Sequence, residues 1–285
     1  MFLIPGGRGG KRSLLAALGG LLFASSAPAA VVGQFVGNNP SNIWASSGNF
    51  SSIYAAALAT GGHTIESPEN ITSSNLANNT HFIISNPLTG VPDLNALINW
   101  VKAGGILMMF VDHESPSSIG IINNILNAFG AGLSGSPLQV STSQLLDPSM
   151  TYRLTASALA GSDPAVGSLA GAAVSMFNPF GVSGGNALAI NLLGNALRVD
   201  HFQLGKVYVF GDNFASNANL SNWFMGSGMT NQQFFLNLLA QSLSGGGGGG
   251  SGAGGFDAPE PASLGLVALG LGWVAWSIRR RRDRA

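Results

Sequence analysis

Four side chains that are able to bind a cation follow two apolar runs of the chain. Asp112, His113 and Glu114 come directly after the run 106–111, and Asp212 follows the run 206–210. Carboxylate and imidazole groups are ligands for divalent cations. If the two runs are parallel strands, their carboxyl ends meet at one edge of a sheet, where open α/β folds bind ligands. These four residues therefore form a predicted ligand or metal cluster, with the metal left unassigned.

The same four residues also fit a structural role. Asp112 and Asp212 can cap helices or accept hydrogen bonds from loop amides, while His113 and Glu114 can be solvated. No catalytic residue is predicted, because Ser115 lacks a G-x-S-x-G elbow and the chain has no cysteine. Two hypotheses stay open: a binding or structural protein without catalysis, and a metal-dependent, hydrolase-like enzyme. No cofactor is predicted.

Alternating helix and strand patterns would position these residues. Helices are predicted at 49–60, 92–102, 121–129 and 231–243, the second of them from apolar residues at i, i+3, i+4 and i+7. Strands are predicted at 63–66, 81–85, 106–111, 187–193 and 206–210. The alternation predicts an α/β fold with a mostly parallel sheet and helices on both faces, and irregular hairpins or loops at 133–185.

The composition excludes several classes of protein. The 285 residues carry no net charge, and only 8% of them are charged. Between positions 31 and 244 there are four basic and nine acidic residues, so the body is mildly acidic. Nucleic-acid binding requires clustered basic residues, so it is not predicted. The lack of cysteine excludes disulfides and thiolate metal sites.

The amino-terminal residues have the layout of a secretory signal peptide. Arg8, Lys11 and Arg12 precede the apolar run 14–23, and the small-x-small sequence Ala27-Pro28-Ala29 follows. We predict a signal peptide at 1–29 that signal peptidase cleaves after Ala29 or Ala30. The alternative is a short buried helix.

The carboxyl-terminal residues change composition twice. A Gly-rich linker is predicted at 244–258, because it has almost no side chains to bury. The motif Pro259-Glu260-Pro261 follows, then an apolar stretch at 262–278 and a cluster of arginines. We predict a transmembrane helix at 262–278 with its arginines in the cytoplasm and the body outside.

This ending resembles the PEP-CTERM sorting signal, which combines a Pro-Glu-Pro motif, one hydrophobic helix and an Arg-rich tail. The resemblance covers the predicted sorting signal at 259–285. It implies export in a Gram-negative bacterium and recognition by an exosortase. It also implies a destination at the cell surface or in the exopolysaccharide matrix of a biofilm. The alternative is an ordinary single-span membrane anchor.

The predicted ectodomain at 30–243 resembles the class I glutamine-amidotransferase-like, flavodoxin-like domains of bacterial surface proteins. The resemblance rests on residues 100–113 and 204–212 and on the predicted helix at 231–243. True amidotransferases of that fold use a cysteine and a His-x-Glu pair. This chain has no cysteine, and the turn at 211–213 has no histidine. The catalytic machinery of the family therefore does not carry over.

Two Asn- and Ser-rich segments suggest a third possibility, carbohydrate binding. The first segment, 38–47, contains Trp44, and the second, 213–222, is followed directly by Trp223. Amide groups can hydrogen-bond to sugar hydroxyls, and indole rings can stack on sugar rings. Extracellular polysaccharide is therefore a possible partner.

Overall fold

The central element of the structure is a seven-stranded sheet that is parallel except at one end. The structure is a computed structural model, and it describes residues 29–112, 117–144, 154–156, 159–189, 195–217 and 227–241. All of these residues belong to the compact unit Ala27–Ser251.

Eleven strands lie within these described ranges. They are β1 Val31–Gln34, β2 Thr64–Ile65, β3 His81–Ser85, β4 Ile106–Phe110, β5 Gln139–Gln144, β6 Leu154–Ala156, β7 Val174–Met176, β8 Phe180–Ser183, β9 Asn186–Ala187, β10 Leu197–Phe202 and β11 Gly205–Phe210. The order in the sheet is β2-β1-β3-β4-β11-β10-β9. The first five strands in this order run parallel to one another, and β10 is antiparallel to both of its neighbours.

Helices cover both faces of the sheet. They are α1 Ser51–Gly61, α2 Ser73–Leu76, α3 Leu94–Lys102, α4 Ser117–Phe129 and α5 Ser227–Leu239, with short 3-10 helices at Pro40–Asn42 and Gly167–Leu169. Side chains of α1 and α5 pack in one hydrophobic cluster, and those of α2, α3 and α4 pack in another. The predicted α/β architecture with a mostly parallel sheet is confirmed.

The two central strands show why both faces need helices. All five residues of β3 and all five of β4 are buried. Successive side chains of a strand point to opposite faces. Met108 accordingly packs in the cluster with α1 and α5, and its neighbours Leu107 and Met109 pack in the cluster with α2, α3 and α4.

Helix α3, predicted at 92–102, begins two residues later at Leu94 and ends at Lys102 as predicted. The side chain of Asp93 caps the helix, since its Oδ1 accepts a hydrogen bond of 2.8 Å from the Ala96 amide. Leu97 and Val101 are fully buried on the face towards the sheet. Lys102 lies in the last turn, where a positive charge interacts favourably with the helix dipole.

The region 133–185 forms short antiparallel pairs. Strand β5 pairs with β8, and β6 pairs with β7 between them. The outer pair contributes Val140 and Val182 to the cluster that contains α4. This agrees with the irregular insertion predicted from the sequence.

One predicted strand is wrong in extent, and two strands of the central sheet, β1 and β10, were missed. The strand expected at 187–193 is represented by β9, Asn186–Ala187, and residues 190–194 lie outside the described ranges. Strand β10 was not predicted because it contains Asp200, which is fully buried. Its carboxylate accepts hydrogen bonds from the Ser134 hydroxyl at 2.6 Å and the Ser134 amide at 3.1 Å. These donors from a distant loop allow an aspartate to be buried inside a strand.

Candidate functional site

The carboxyl ends of the parallel strands meet at one edge of the sheet, here called the carboxyl edge. Asn38 follows β1, Asn86 follows β3, Asp112 follows β4, and Asp212 and Asn213 follow β11. Strands β1 and β3 are neighbours although β2 lies between them in sequence. Ligands of open α/β sheets bind where the strand order reverses in this way. Asp112 and Asp212 lie at this edge, as the sequence predicts, after β4 and β11, while the reversal of strand order lies between β1 and β3.

Asn213 joins three loops of the carboxyl edge through its side-chain amide. Its Oδ1 accepts a hydrogen bond from the Ser85 hydroxyl at 3.0 Å. Its Nδ2 donates to Asn42 Oδ1 at 3.0 Å and to Asp112 Oδ2 at 3.2 Å. Asn213 and Asn42 are both buried. The Asp112 carboxylate is thus held by an amide that itself belongs to a buried network.

Asn86 supports the loop that follows β4. Its Oδ1 accepts hydrogen bonds from the Asp112 amide at 2.7 Å and from the Ser118 hydroxyl at 3.3 Å. Asn86 has a φ of 46°, a left-handed conformation that asparagine tolerates better than most residues. The side chain is fully buried, so these bonds fix the start of the loop after Phe110.

Asp212 is engaged with the insertion. Its Oδ2 accepts a hydrogen bond of 2.8 Å from the Phe177 amide, in the connection between β7 and β8. The carboxylate is 2% exposed. The structure therefore gives Asp212 a loop-fixing contact, which is one of the two roles considered for it.

The predicted cluster of four residues is placed only in part. His113 and Glu114 lie outside the described residues. Within the part of the chain that the structure describes, no group of three or more His, Asp or Glu side chains is arranged to hold a metal ion. The cluster of Asp112, His113, Glu114 and Asp212 stays a prediction.

Sequence reasoning missed Asn86 at the carboxyl edge and considered Asn38 only as part of the Asn- and Ser-rich segment 38–47. The Nδ2 atoms of Asn38 and Asn86 are buried and have no hydrogen-bond partner among the residues that the structure describes. The Oδ1 atom of Asn38 accepts a bond of 3.0 Å from the Ser85 amide, which fixes how the side chain is oriented. An unpaired buried amide donor is uncommon in proteins. Their positions in the sequence could have identified them, because Asn86 directly follows β3 and Asn38 lies four residues after β1.

The prediction that Trp44 offers a stacking surface for sugars is wrong. Its side chain is 1% exposed and stacks on Phe50, with ring centroids 4.3 Å apart. The large apolar ring gains more free energy in the core than at the surface. Trp223 lies outside the described residues.

A shallow depression of about 390 Å³ lies beside the loop that follows β1. Backbone and side chains of Ser41, Ser47 and Asn49 contribute polar groups to its wall, together with Pro40, Ile43 and Gly48. The loop is tied to the one after β11, because the Asn217 side chain donates to the Gly48 carbonyl at 2.8 Å. The depression therefore belongs to the carboxyl edge.

The opposite end of the sheet, the amino edge, carries buried titratable groups. Asp163 accepts bonds from Lys206 Nζ at 3.0 Å and from the Tyr208 hydroxyl at 2.9 Å. Both donors also bond to Gln241 Oε1, just after α5. Burial and the adjacent Asp163 carboxylate raise the pKa of Tyr208 well above its usual value, so the phenol stays protonated.

Two histidines also lie at the amino edge. His81 is fully buried, and its Nε2 donates to the Leu238 carbonyl at 3.0 Å. Burial lowers the pKa of His81 to about 4, so the ring is neutral at pH 7. His63 is 5% exposed, and burial lowers its pKa as well.

Comparison with protein families assigns the carboxyl-terminal residues. Residues 257–282 match the PEP-CTERM protein-sorting motif. The match includes Pro259, Glu260 and Pro261. It supports sorting of the protein by an exosortase. The motif implies that the protein is exported, anchored in the membrane and then sorted to the surface. In the ranges that the structure describes, no helix is both long enough and apolar enough to cross a bilayer. The predicted transmembrane helix at 262–278 lies outside those ranges.

Three solved structures are similar to about three quarters of this chain. The chain is similar to "mmIFT52 N-terminal domain", with a TM-score of 0.56 and 12% identity over 74% of this chain and 98% of that one. Two cytoplasmic proteins of Salmonella typhimurium follow. STM3548 has a TM-score of 0.49 and 17% identity, covering 74% of this chain and 97% of that one. STM1381 has a TM-score of 0.48 and 15% identity, covering 73% and 97%.

The similarity to the first of these structures indicates a shared fold. It does not indicate a shared activity, because only 12% of the residues are identical. No curated protein matches the chain. The resemblance to amidotransferase-like domains is not established by these comparisons and stays a prediction.

Proposed function

We propose that this chain is a cell-surface or exopolysaccharide-matrix protein whose ectodomain has a binding or structural role without catalysis. The observation that carries the proposal is the match of residues 257–282 to the PEP-CTERM motif. The proposed layout is a signal peptide at 1–29, an ectodomain at 30–243, a linker at 244–258 and a sorting signal at 259–285. The proposed host is a Gram-negative bacterium.

The strand order supports a flavodoxin-like ectodomain in this proposal. The five parallel strands, counted along the chain, lie in the order 2-1-3-4-5, which is the flavodoxin order. The resemblance to amidotransferase-like domains extends to the fold alone, because the chain has no cysteine nucleophile.

The described part of the carboxyl edge, which does not include His113 and Glu114, has a chemistry that suits binding or loop fixing. The side chains with described bonds there are mainly amides and hydroxyls, and the Asp112 and Asp212 carboxylates accept bonds from amides. Catalysis by general acids and bases needs a group that titrates near neutral pH. Amides and hydroxyls do not titrate there, whereas they are well suited to hold loops or to bind neutral ligands.

Extracellular polysaccharide is the proposed partner of the depression beside the loop after β1. Ser41, Ser47 and Asn49 line it with groups that can hydrogen-bond to sugar hydroxyls. Binding of purified host polysaccharide, measured by calorimetry, should weaken when Asn49 is replaced by Ala. Replacing the exposed Asn70, far along the chain in the loop before α2, should leave the binding unchanged. Equal binding by both variants would remove the depression from the proposal.

The sorting step is tested by the mass of the protein at its destination. The protein is recovered from the cell envelope and the medium of strains with and without the exosortase, and its mass is measured without digestion. We expect residues beyond the Pro259 to Pro261 motif to be lost when the exosortase is present and retained when it is absent. The Glu260→Ala variant should be retained in the membrane, and Glu66→Ala, which alters an exposed acid of the ectodomain, should be processed normally.

An intact tail in every fraction would contradict the sorting proposal. The carboxyl-terminal helix would then be a permanent anchor, and the chain would be an inner-membrane protein with a periplasmic domain.

A further inference from the structure

The core of the ectodomain begins abruptly at Ala30. Among the described residues, which start at 29, Ala29 is exposed and Ala30 is only 2% exposed. Ala30 packs in the same hydrophobic cluster as α1 and α5. The change from exposed to buried therefore occurs across a single peptide bond.

Both backbone groups of Ala30 are used. Its carbonyl accepts a hydrogen bond of 2.9 Å from the Thr64 amide, which aligns the chain with β2. Its amide nitrogen donates to Nδ1 of His63 at 2.9 Å. Since Nδ1 accepts this bond, the neutral ring of His63 carries its proton on Nε2.

We propose that signal peptidase cuts between Ala29 and Ala30, and that the new α-amino group of Ala30 stays docked on Nδ1 of His63. Water hydrolyses the peptide bond, its hydroxyl going to the carbonyl carbon of Ala29 and a proton to the nitrogen of Ala30. The released peptide leaves with the new carboxylate. The amine retains the position and the donor role of the former amide nitrogen.

The structure distinguishes this bond from the next one. A cut after Ala30 would remove both the donor to His63 and the acceptor for the Thr64 amide. His63 is 5% exposed, so its Nδ1 would be left buried and unpaired, which is unfavourable. The small residues Ala27 and Ala29 also lie at the positions that signal peptidase requires for a cut after Ala29.

A docked amine can retain its remaining hydrogen bonds. Ala29 is exposed, so the space that its carbonyl leaves is open to water. Water can solvate the other protons of the amine while His63 accepts one of them. Cleavage thus creates a chain end that the fold already accommodates.

The cleavage position is tested on the exported full-length protein, and this test rests on the proposed function. Mass spectrometry of its amino-terminal peptide should find Ala30 as the first residue. A first residue of Val31, or of any other position near the cut, would overturn this inference and leave the export proposal intact. Retention of residues 1–29 would contradict both, and the carboxyl-terminal mass reports separately on sorting.

The docking is tested by the reactivity of the α-amine towards limiting acetic anhydride at pH 7. A hydrogen bond of about 1 kcal/mol corresponds to about a fivefold difference in reactivity. Acetylation of the Ala30 amine should therefore be about fivefold faster in His63→Ala. The Lys102 amine, labelled in the same sample, should react equally in both proteins.

Two further variants separate docking from a general loss of structure. His63→Asn retains an acceptor oxygen close to the former Nδ1 and should restore slow acetylation. His201→Ala replaces a histidine that contacts Asp163 instead, and should react like the parent protein. Equal acetylation rates in the parent and in His63→Ala, with both folded by circular dichroism, would overturn the docking.

Discussion

The two edges of the central sheet use polar residues in different ways. At the amino edge, Lys206, Asp163, Tyr208 and Gln241 form one connected group that joins β11 to the end of α5. At the carboxyl edge, amide side chains hold the loops. Among the described residues, both edges contain a buried amide nitrogen without a hydrogen-bond partner, Gln241 Nε2 at the amino edge and the Nδ2 atoms of Asn38 and Asn86 at the carboxyl edge. The amino edge thus contains a paired cation and anion, whereas the carboxylates of Asp112 and Asp212 at the carboxyl edge accept bonds from amides.

This difference indicates separate roles for the two edges, one in stability and one in binding. Charged groups at the amino edge lie close in sequence to the predicted linker at 244–258, which follows Gln241. The carboxyl edge carries the reversal of strand order where α/β proteins bind ligands. We infer that the amino edge stabilises the fold and that the carboxyl edge is the surface available for binding.

The largest expected effect comes from breaking the ion pair at the amino edge. Asp163→Ala removes the carboxylate that accepts bonds from Lys206 and Tyr208. Lys206 would keep a mostly buried charge, with 16% of its side chain exposed. We expect the free energy of unfolding in urea to fall by about 4 kcal/mol. Tyr208→Phe, which removes the hydroxyl alone, should cost about 1 kcal/mol. Equal losses in both variants would show that the charge of the Asp163–Lys206 pair adds nothing to stability beyond the bond to the Tyr208 hydroxyl.

The second effect is a loss of stability in acid that originates at His81. Burial lowers the pKa of His81 from 6.5 to about 4. As the pH falls through 6.5 the unfolded chain takes up a proton, and the folded chain does so only near pH 4. The free energy of unfolding therefore falls across this window, by about 3 kcal/mol in total.

Urea unfolding at pH 7.5 and pH 4.5 checks this expectation. His81→Gln retains a donor for the Leu238 carbonyl and has no titrating ring, so its stability should depend less on pH than that of the parent. His63 contributes in the same direction, because burial also lowers its pKa, and its share remains in the variant. Identical pH dependence in the parent and His81→Gln would contradict the assignment to His81.

The apolar elements of the amino acid sequence predict more of this fold than its polar residues do. Strand β3 was predicted at its observed bounds, and β4 to within one residue, because runs of apolar residues identify buried strands. Strand β10 was missed because Asp200 is buried through bonds to a loop 66 residues away in sequence.

The candidate site shows the same limit of prediction. The position of Asp112 and Asp212 after strands is a local property that the sequence reveals. The bond between Ser85 and Asn213 joins residues 128 positions apart, and no local pattern indicates it. Polar networks depend on which loops come together, so their members are identified only when the sheet order is known.

A third, smaller effect is expected from the amide network of the carboxyl edge. Asn213→Ala leaves the buried Ser85 hydroxyl and the buried Asn42 oxygen without their described bonds to this side chain. We expect the free energy of unfolding to fall by about 2 kcal/mol. Asn217→Ala is the matched control in the same loop, because its side chain bonds mainly at exposed positions, and it should cost about 0.5 kcal/mol. A larger loss for Asn217→Ala would show that the network does not stabilise this edge.

The smallest effect on stability should come from Asp112→Asn, and this variant decides between the two roles considered for the carboxyl edge. The new amide oxygen can still accept the bond from Asn213 Nδ2, so the free energy of unfolding should change by less than about 1 kcal/mol.

If the edge fixes loops, millimolar Ca²⁺ or Mg²⁺ should leave the unfolding midpoint of parent and variant unchanged. If Asp112 and Asp212 hold a cation with His113 and Glu114, the metal should stabilise the parent and not Asp112→Asn, because a ligand that binds the folded state raises its stability. Stabilisation of the parent alone would therefore overturn the non-catalytic assignment and favour the metal-dependent alternative.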